Sequence, residues 1–255
     1  MANVRILWNN LIDLTTVKLS ADSAESPVSH LKVARRTKVW RSTARSAVLT
    51  IDLSASSNIN AIAVTGYNLT SLATISIAHS SDNITYTGIE TKTVGTLTSV
   101  LFFFTLIQDR YWQITLTDTT NESPYIEVGR VFIGTYFEPE ANLHTNWSVE
   151  IVDESTSRRS AGLQKWRTNK VPFSRVTFRL PHLTQSEAFQ NFIDILIRIG
   201  IKTDIFLSLF PEGNANQKTI GDLYGRFIGV PGVTNPAIGA YATDQLIFEE
   251  NNEKD

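Results

Sequence analysis

The stretch SSDNITYTGI, residues 80–89, follows His79 directly and sets histidine, serine and aspartate side by side. Such a cluster admits two readings. A hydrolytic triad needs side chains that converge from separate parts of a fold, with the base within hydrogen-bond reach of the nucleophile. His79, Ser80, Ser81 and Asp82 are consecutive, and neighbours at the end of a strand point alternately to opposite faces. The residue types fit a hairpin turn instead. Ser and Asp side chains accept backbone N–H groups, and Asn83 tolerates a left-handed conformation. The segment is therefore expected to be the turn of a β-hairpin, and the chain is read as a β protein without a catalytic set.

The flanking sequence agrees. AVLTIDL (47–53), NAIAVTGYNL (60–69), ATISIAHS (73–80), RYWQITLTD (110–118) and YIEVGRVFIGTYF (125–137) alternate apolar with polar residues and are rich in Thr, Val, Ile and aromatics. That is the pattern of half-buried strands. Short strands punctuated by Asn, Asp, Ser and Gly suggest a sandwich or jelly roll. SVLFFFTL (99–106) is apolar almost throughout. It reads as a strand buried on both faces, or as one lying at a contact between domains or subunits.

A polar break, EPEANLHTNW (138–147), marks the expected boundary between a first domain, 1–137, and a second, 138–255. The second domain reads as β-rich with one packed helix. Thr184 and Glu187 form the sequence pattern of a capping box. Phe189, Phe192, Ile193, Leu196 and Ile199 recur at helical spacing, and Gly200 ends the run. The helix is thus expected over about 184–199. KTIGDLYGRFIGV (218–230) reads as a further strand or pair, and YATDQLIFEE (241–250) as a last strand.

Composition narrows the chemistry. The chain has 255 residues, a net charge of -2 and no cysteine. Disulfides and cysteine-ligated zinc are excluded. The absence of a basic surplus gives no reason to expect nucleic acid or anionic lipid as a partner. No window approaches the roughly 20 apolar residues of a membrane span. Asn9, Asn10 and Asp13 interrupt the N-terminal segment too early for a signal peptide, so use without export is expected. The four histidines, His30, His79, His144 and His182, are scattered, without metal-ligand spacing. No metal, no cofactor and no enzymatic activity are expected.

The hairpin at 80–87 resembles the S-x-D-G-x-x-W/Y-T pattern of discoidin-like domains, also called F5/8 type C or galactose-binding-like jelly rolls. It is carried by Ser80, Asp82, Asn83, Tyr86 and Thr87, with Asn in place of Gly. VKLSADSAESPVSHL (17–31), KVWRST (38–43), DRYWQITLTD (109–118) and YIEVGRVFI (125–133) resemble further segments of that family in the family's order. The resemblance implies that Trp40 and Trp112 are core residues and that Arg110 is structural. It also implies that any ligand lies at one end of the sandwich. The candidates there are Arg35, Arg36 and Lys38 on a basic turn and Asn121 in the loop 119–123. Three cations in four positions suit a phosphate, a sugar acid or an acidic partner surface.

The whole chain is similar to tail proteins of long-tailed bacteriophages. LWNNLIDLTTVKLSA, WRS, GYNLTSLATI, RYWQITLTD and the join GRVFIGTYFEPEAN carry that likeness. It implies a virion protein of the tail tip, assembled in the bacterial cytoplasm. Such a distal tail or baseplate subunit would form a homo-oligomeric ring, expected as a hexamer, between the tail tube protein and hub or fibre proteins. Two other classes stand beside it. One is a carbohydrate-binding protein whose discoidin-like domain engages host glycans. The other is an enzyme on cell-wall sugars, which requires paired carboxylates about 5–10 Å apart in a cleft.

Overall fold

The computed structural model describes residues 2–237 and 239–251. Its strands are β1 (Arg5–Leu7), β2 (Lys18–Ala21), β3 (Trp40–Arg41), β4 (Ser46–Thr65), β5 (Thr74–Ser80), β6 (Thr87–Thr93), β7 (Ser99–Thr117), β8 (Glu127–Val128) and β9 (Arg130–Gly134). β10 (Ser148–Val152), β11 (Thr156–Arg159), β12 (Lys165–Thr168) and β13 (Phe173–Phe178) follow, then helix α1 (Ile193–Ile199), β14 (Ile205–Ser208) and helix α2 (Ala215–Gly221). The chain closes with β15 (Asp222–Phe227), β16 (Val233–Ala237), β17 (Ala240–Thr243) and β18 (Leu246–Glu250). Two units divide it: Met1–Pro139 with Ile205–Tyr224, and Glu140–Asp204 with Gly225–Asp255.

The first unit is a discoidin-like jelly-roll β-sandwich. Its frame is the long antiparallel pair β4 and β7, which runs from Ser46 opposite Thr117 to Thr65 opposite Ser99. The register slips between Asp52 and Ser57, where Ser54 has a φ of 66°. A bulge of this kind bends the strand that carries it, so the two halves of the ribbon meet different neighbours. The 46–52 half joins β2, β5 and β6, and the 61–65 half joins β9. Trp40, Trp112, Ile51, Ile62, Ile75, Phe102 and Ile114 fill the interior between them, all 0% exposed.

The apolar strand 99–106 is buried on both faces from Ser99 to Phe102, half-buried at Phe103 and Phe104, and exposed at Thr105 and Leu106. Val100 and Phe102 point into the sandwich core. Leu101 packs in a second cluster with Leu7, Ala61, Ala63, Phe132, Phe206 and Tyr224, against which Phe103 is half-buried. All of these belong to the first unit, so this strand needs neither a second domain nor a second subunit to explain its composition.

The 79–87 segment is a hairpin turn. Ser80 Oγ donates to Asp82 Oδ1 (2.8 Å) and accepts from the Asn83 N–H (3.1 Å). Asp82 Oδ1 accepts the N–H groups of Ile84 and Thr85, both at 2.9 Å. Asn83 takes a φ of 63°, and Tyr86 Oη donates to its side chain. The backbone donors of Ile84 and Thr85, with the Ser80 hydroxyl, hold the Asp82 carboxyl down at about 2.

In the second unit β15, from Gly225 onward, pairs with β18, β18 with β13, and β13 with β10. The capping box at Thr184 and Glu187 is present: Glu187 accepts the Thr184 N–H, and Thr184 Oγ1 accepts the Glu187 N–H. The face differs from the spacing. Residues Glu187–Phe192 form a π turn, and the Ile193 N–H reaches Ala188 O. The extra residue per turn shifts the phase of the helix. Ala188, Phe192, Ile195, Leu196 and Ile199 are buried, whereas Phe189 is exposed and packs edge-on against Tyr241. The segment read from Lys218 as strand begins instead in helix α2, capped by Asn214 and Gln217.

Candidate functional site at the loop end of the sandwich

The loops between strands gather at one end of the first unit around the segment GYNLT (66–70). Gly66 takes a φ of 70°, and the Gly129 N–H donates to Gly66 O. A Cβ on Gly129 would lie 2.2 Å from Arg36 O, so this crossing of two backbones admits only glycine. Asn68 joins three segments. Its side chain donates to Tyr125 O and accepts the Glu127 N–H, and its carbonyl accepts from Asn121 Nδ2 (3.1 Å).

Arg36 and Asn121 both meet this segment, one beside Gly66 and the other on Asn68. Both are buried. The Asn121 amide is engaged on both sides, since its oxygen also accepts the Ser123 N–H. Arg35 and Lys38 are exposed on a tight turn closed by the Lys38 N–H on Arg35 O. Among the described residues no carboxylate pairs with either cation.

Sequence reasoning passed over the most polar part of this end. Arg41 and Glu127 face each other across the β3–β8 bridge, at 2.6 Å between Nη2 and Oε1. The guanidinium lies 4.2 Å from the centre of the Tyr125 ring, and Glu25 stands 3.9 Å away. Its hydrogen bond to Glu127 and the surrounding charges raise its pKa further. In the same group of loops the buried Asp118 takes the N–H and hydroxyl of Thr70 and the hydroxyl of Thr120. Burial alone would push this carboxyl up, but those donors hold it below the usual range. The set offers a half-buried aromatic, a guanidinium and carboxylates within one surface. Groups of this kind fix the orientation of a polar ligand at the mouth of a sandwich.

His79 lies elsewhere. Its Nδ1 meets Asp109 Oδ2 at 2.5 Å, and its ring packs at 5.8 Å against that of Trp112. Asp52 and Arg110 pair nearby at 2.7 Å, at the bend of the β4–β7 ribbon. No hydroxyl is bonded to His79 among the described residues, and no group of three or more His, Asp or Glu is placed to hold a metal. No helix among those residues is long and apolar enough to cross a membrane.

No protein-family model and no curated protein matches the chain. Among solved structures it is similar to CpGH89CBM32-6 of Clostridium perfringens, at 19% identity over 50% of this chain and 99% of that one, with a TM-score of 0.44. It is similar also to CpGH89CBM32-5 of the same organism, solved with GalNAc-β-1,3-galactose, at 13% identity over 50% of this chain and 100% of that one, with a TM-score of 0.42. A third is chitosan-binding module 1 of a chitosanase/glucanase from Paenibacillus, at 19% identity over 50% of this chain and 99% of that one, with a TM-score of 0.42.

Proposed function

We propose that the chain is a structural assembly subunit, a ring-forming protein of the tail tip of a long-tailed bacteriophage. In this role it joins tail tube to hub or fibres, with the discoidin-like unit as its outward module. The observation that carries the assembly role lies in the second unit. Every residue from Asp153 to Pro172 except Ser160 is exposed, although the stretch folds as the hairpin β11–β12 and contains Leu163, Trp166 and Val171. A two-stranded hairpin is marginal in water unless something covers it. The position in a phage tail rests on the sequence likeness. Light scattering on the purified chain, with negative-stain images of the same fractions, tests the assembly role. Rings support it, and a chain that stays monomeric with and without tail tube protein removes it.

A second reading gives the discoidin-like unit a glycan-binding role. It rests on the side chains at the loop end: Tyr125 beside Arg41, Glu25 and Glu127, with Arg35 and Lys38 exposed on a neighbouring turn. Such a site would take an acidic or amino sugar through charge-assisted hydrogen bonds. A glycan array with wild-type chain and Tyr125→Ala tests it. Binding that disappears in the variant supports the reading, and no binding by the wild type sinks it.

A further inference from the structure

The exposed hairpin and the free edge of β10 have complementary faces. β11 and β12 pair only with each other among the described residues. Thr156–Thr168 contains Arg158, Arg159, Lys165 and Arg167 and no acid. The chain as a whole carries -2, so with these four cations set aside the remainder carries -6. None of the four forms an ion pair among the described residues. Leu163, at the tip, is 74% exposed and holds a φ of 63°, a left-handed conformation that favours glycine.

β10 is an edge strand, bonded among the described residues to β13 on one side only. Ile151 lies on the same face as Val149, which stands opposite the buried Val176, yet Ile151 is 66% exposed. The core stops short beneath it. Glu150 points to the other face and meets Arg175 at 3.5 Å with most of its side chain still in water. An unpaired edge of this kind is a template for another strand.

Successive side chains of a strand alternate between faces. On β12, Trp166 occupies one face and Lys165 and Arg167 the other; on β10, Ile151 occupies one face and Glu150 the other. Setting Trp166 beside Ile151 therefore sets a cation beside Glu150, Arg167 in an antiparallel register and Lys165 in a parallel one. We propose that β12 of one copy adds to the free edge of β10 of the next, with Trp166 covering Ile151 and a β12 cation facing Glu150. The proposal rests on the self-assembly reading above. The contact is head-to-tail, which closes into a ring when its rotation permits. A buried aromatic flanked by paired charges is the usual anchor of a protein interface.

The chain has no cysteine, so single cysteines report contacts without background. Full-length Ile151→Cys and Trp166→Cys chains, mixed and mildly oxidised, should give a covalent dimer containing one of each. Neither K165E/R167E nor E150K should assemble, their dissociation constants rising at least tenfold with melting curves unchanged. The triple variant E150K/K165E/R167E should recover most of the loss. Wild-type oligomers that persist unchanged in K165E/R167E would overturn the strand-addition contact and leave the assembly reading intact. A wild type that does not assemble, together with Ile151→Cys and Trp166→Cys chains that do not cross-link, would overturn both. Capture by phosphatidylserine-containing vesicles, with no self-association, would make the arm a lipid contact and also overturn the proposal.

Discussion

Two hairpins of this molecule make opposite use of polar residues. In the turn at 80–87 every side chain that matters is turned inward on its own backbone. Ser80 and Asp82 together satisfy the N–H groups of Asn83, Ile84 and Thr85, and the strands on either side lie over a core that contains Trp112. In the arm at 156–168 the cations, Trp166 and Leu163 all face water. The first hairpin is specified by contacts within its own unit. The second is held by its own ladder and turn bonds, with its side chains left in water. A difference of this kind separates residues that make a fold from residues that are exposed for a partner.

The tryptophans give the sharpest way to break that comparison. Trp112 is 0% exposed and packs with Phe104 and His79. Trp112→Ala should cost ~3–5 kcal/mol of stability, the range of buried aromatic deletions. Urea denaturation measures it. A loss below about 1 kcal/mol would mean that the sandwich core is not the support of the first hairpin.

The pH dependence of the first unit is next in size. Asp222 is buried at the start of β15, where Ser208 Oγ donates to it at 2.5 Å. Burial pushes its carboxyl up to about 7, against the opposing hydrogen bond from Ser208 and the charges of Lys218 and Lys92. The folded chain then keeps a proton that the unfolded chain releases near pH ~4. Stability should fall as pH rises from that point to about 7, by at most ~1.4 kcal/mol per pH unit, and level off above. Asp222→Asn should flatten this slope. A slope unchanged in the variant would assign the titration to another group.

Ser80→Ala tests the turn itself. The hydroxyl is buried and makes bonds to both Asp82 and Asn83. Its loss should cost ~1–2 kcal/mol, since the groups left behind are only partly reached by water. Hydrogen exchange at Asn83 should rise in step. Protection there equal to the wild type would show that Asp82 holds the turn alone.

The same contrast explains what could be read before the structure. Ser80, Asp82 and Asn83 act within a few residues, so their chemistry is written in their spacing. So is the capping box of Thr184 and Glu187. The helix face behind it was not legible in full, because the π turn at Glu187–Phe192 shifts Phe189 outward and no local residue type announces it. Helix α2 was signalled by Asn214 and Gln217, a capping box followed by the β-branched pair Thr219 and Ile220, which favours a strand reading. The Arg41–Glu127 pair depends on a bridge between segments 86 residues apart, and neither segment carries a trace of the other. The arm at 156–168 shows no alternation of apolar and polar residues because it has no core beneath it, so the pattern that reveals other strands is missing there.

The smallest effect on stability is the most informative about the arm. Trp166 is 66% exposed in a hairpin that pairs with no other strand among the described residues, so Trp166→Ala should change unfolding free energy by less than about 0.5 kcal/mol. Leu163→Gly should be neutral or stabilising by up to ~1 kcal/mol, because glycine holds a positive φ without strain. Trp166→Ala should nevertheless weaken the proposed assembly, because a side chain kept in water contributes little to the monomer. If Trp166→Ala destabilised the isolated chain as Trp112→Ala does, the arm would have a support within its own molecule, and the contrast between the two hairpins would fail.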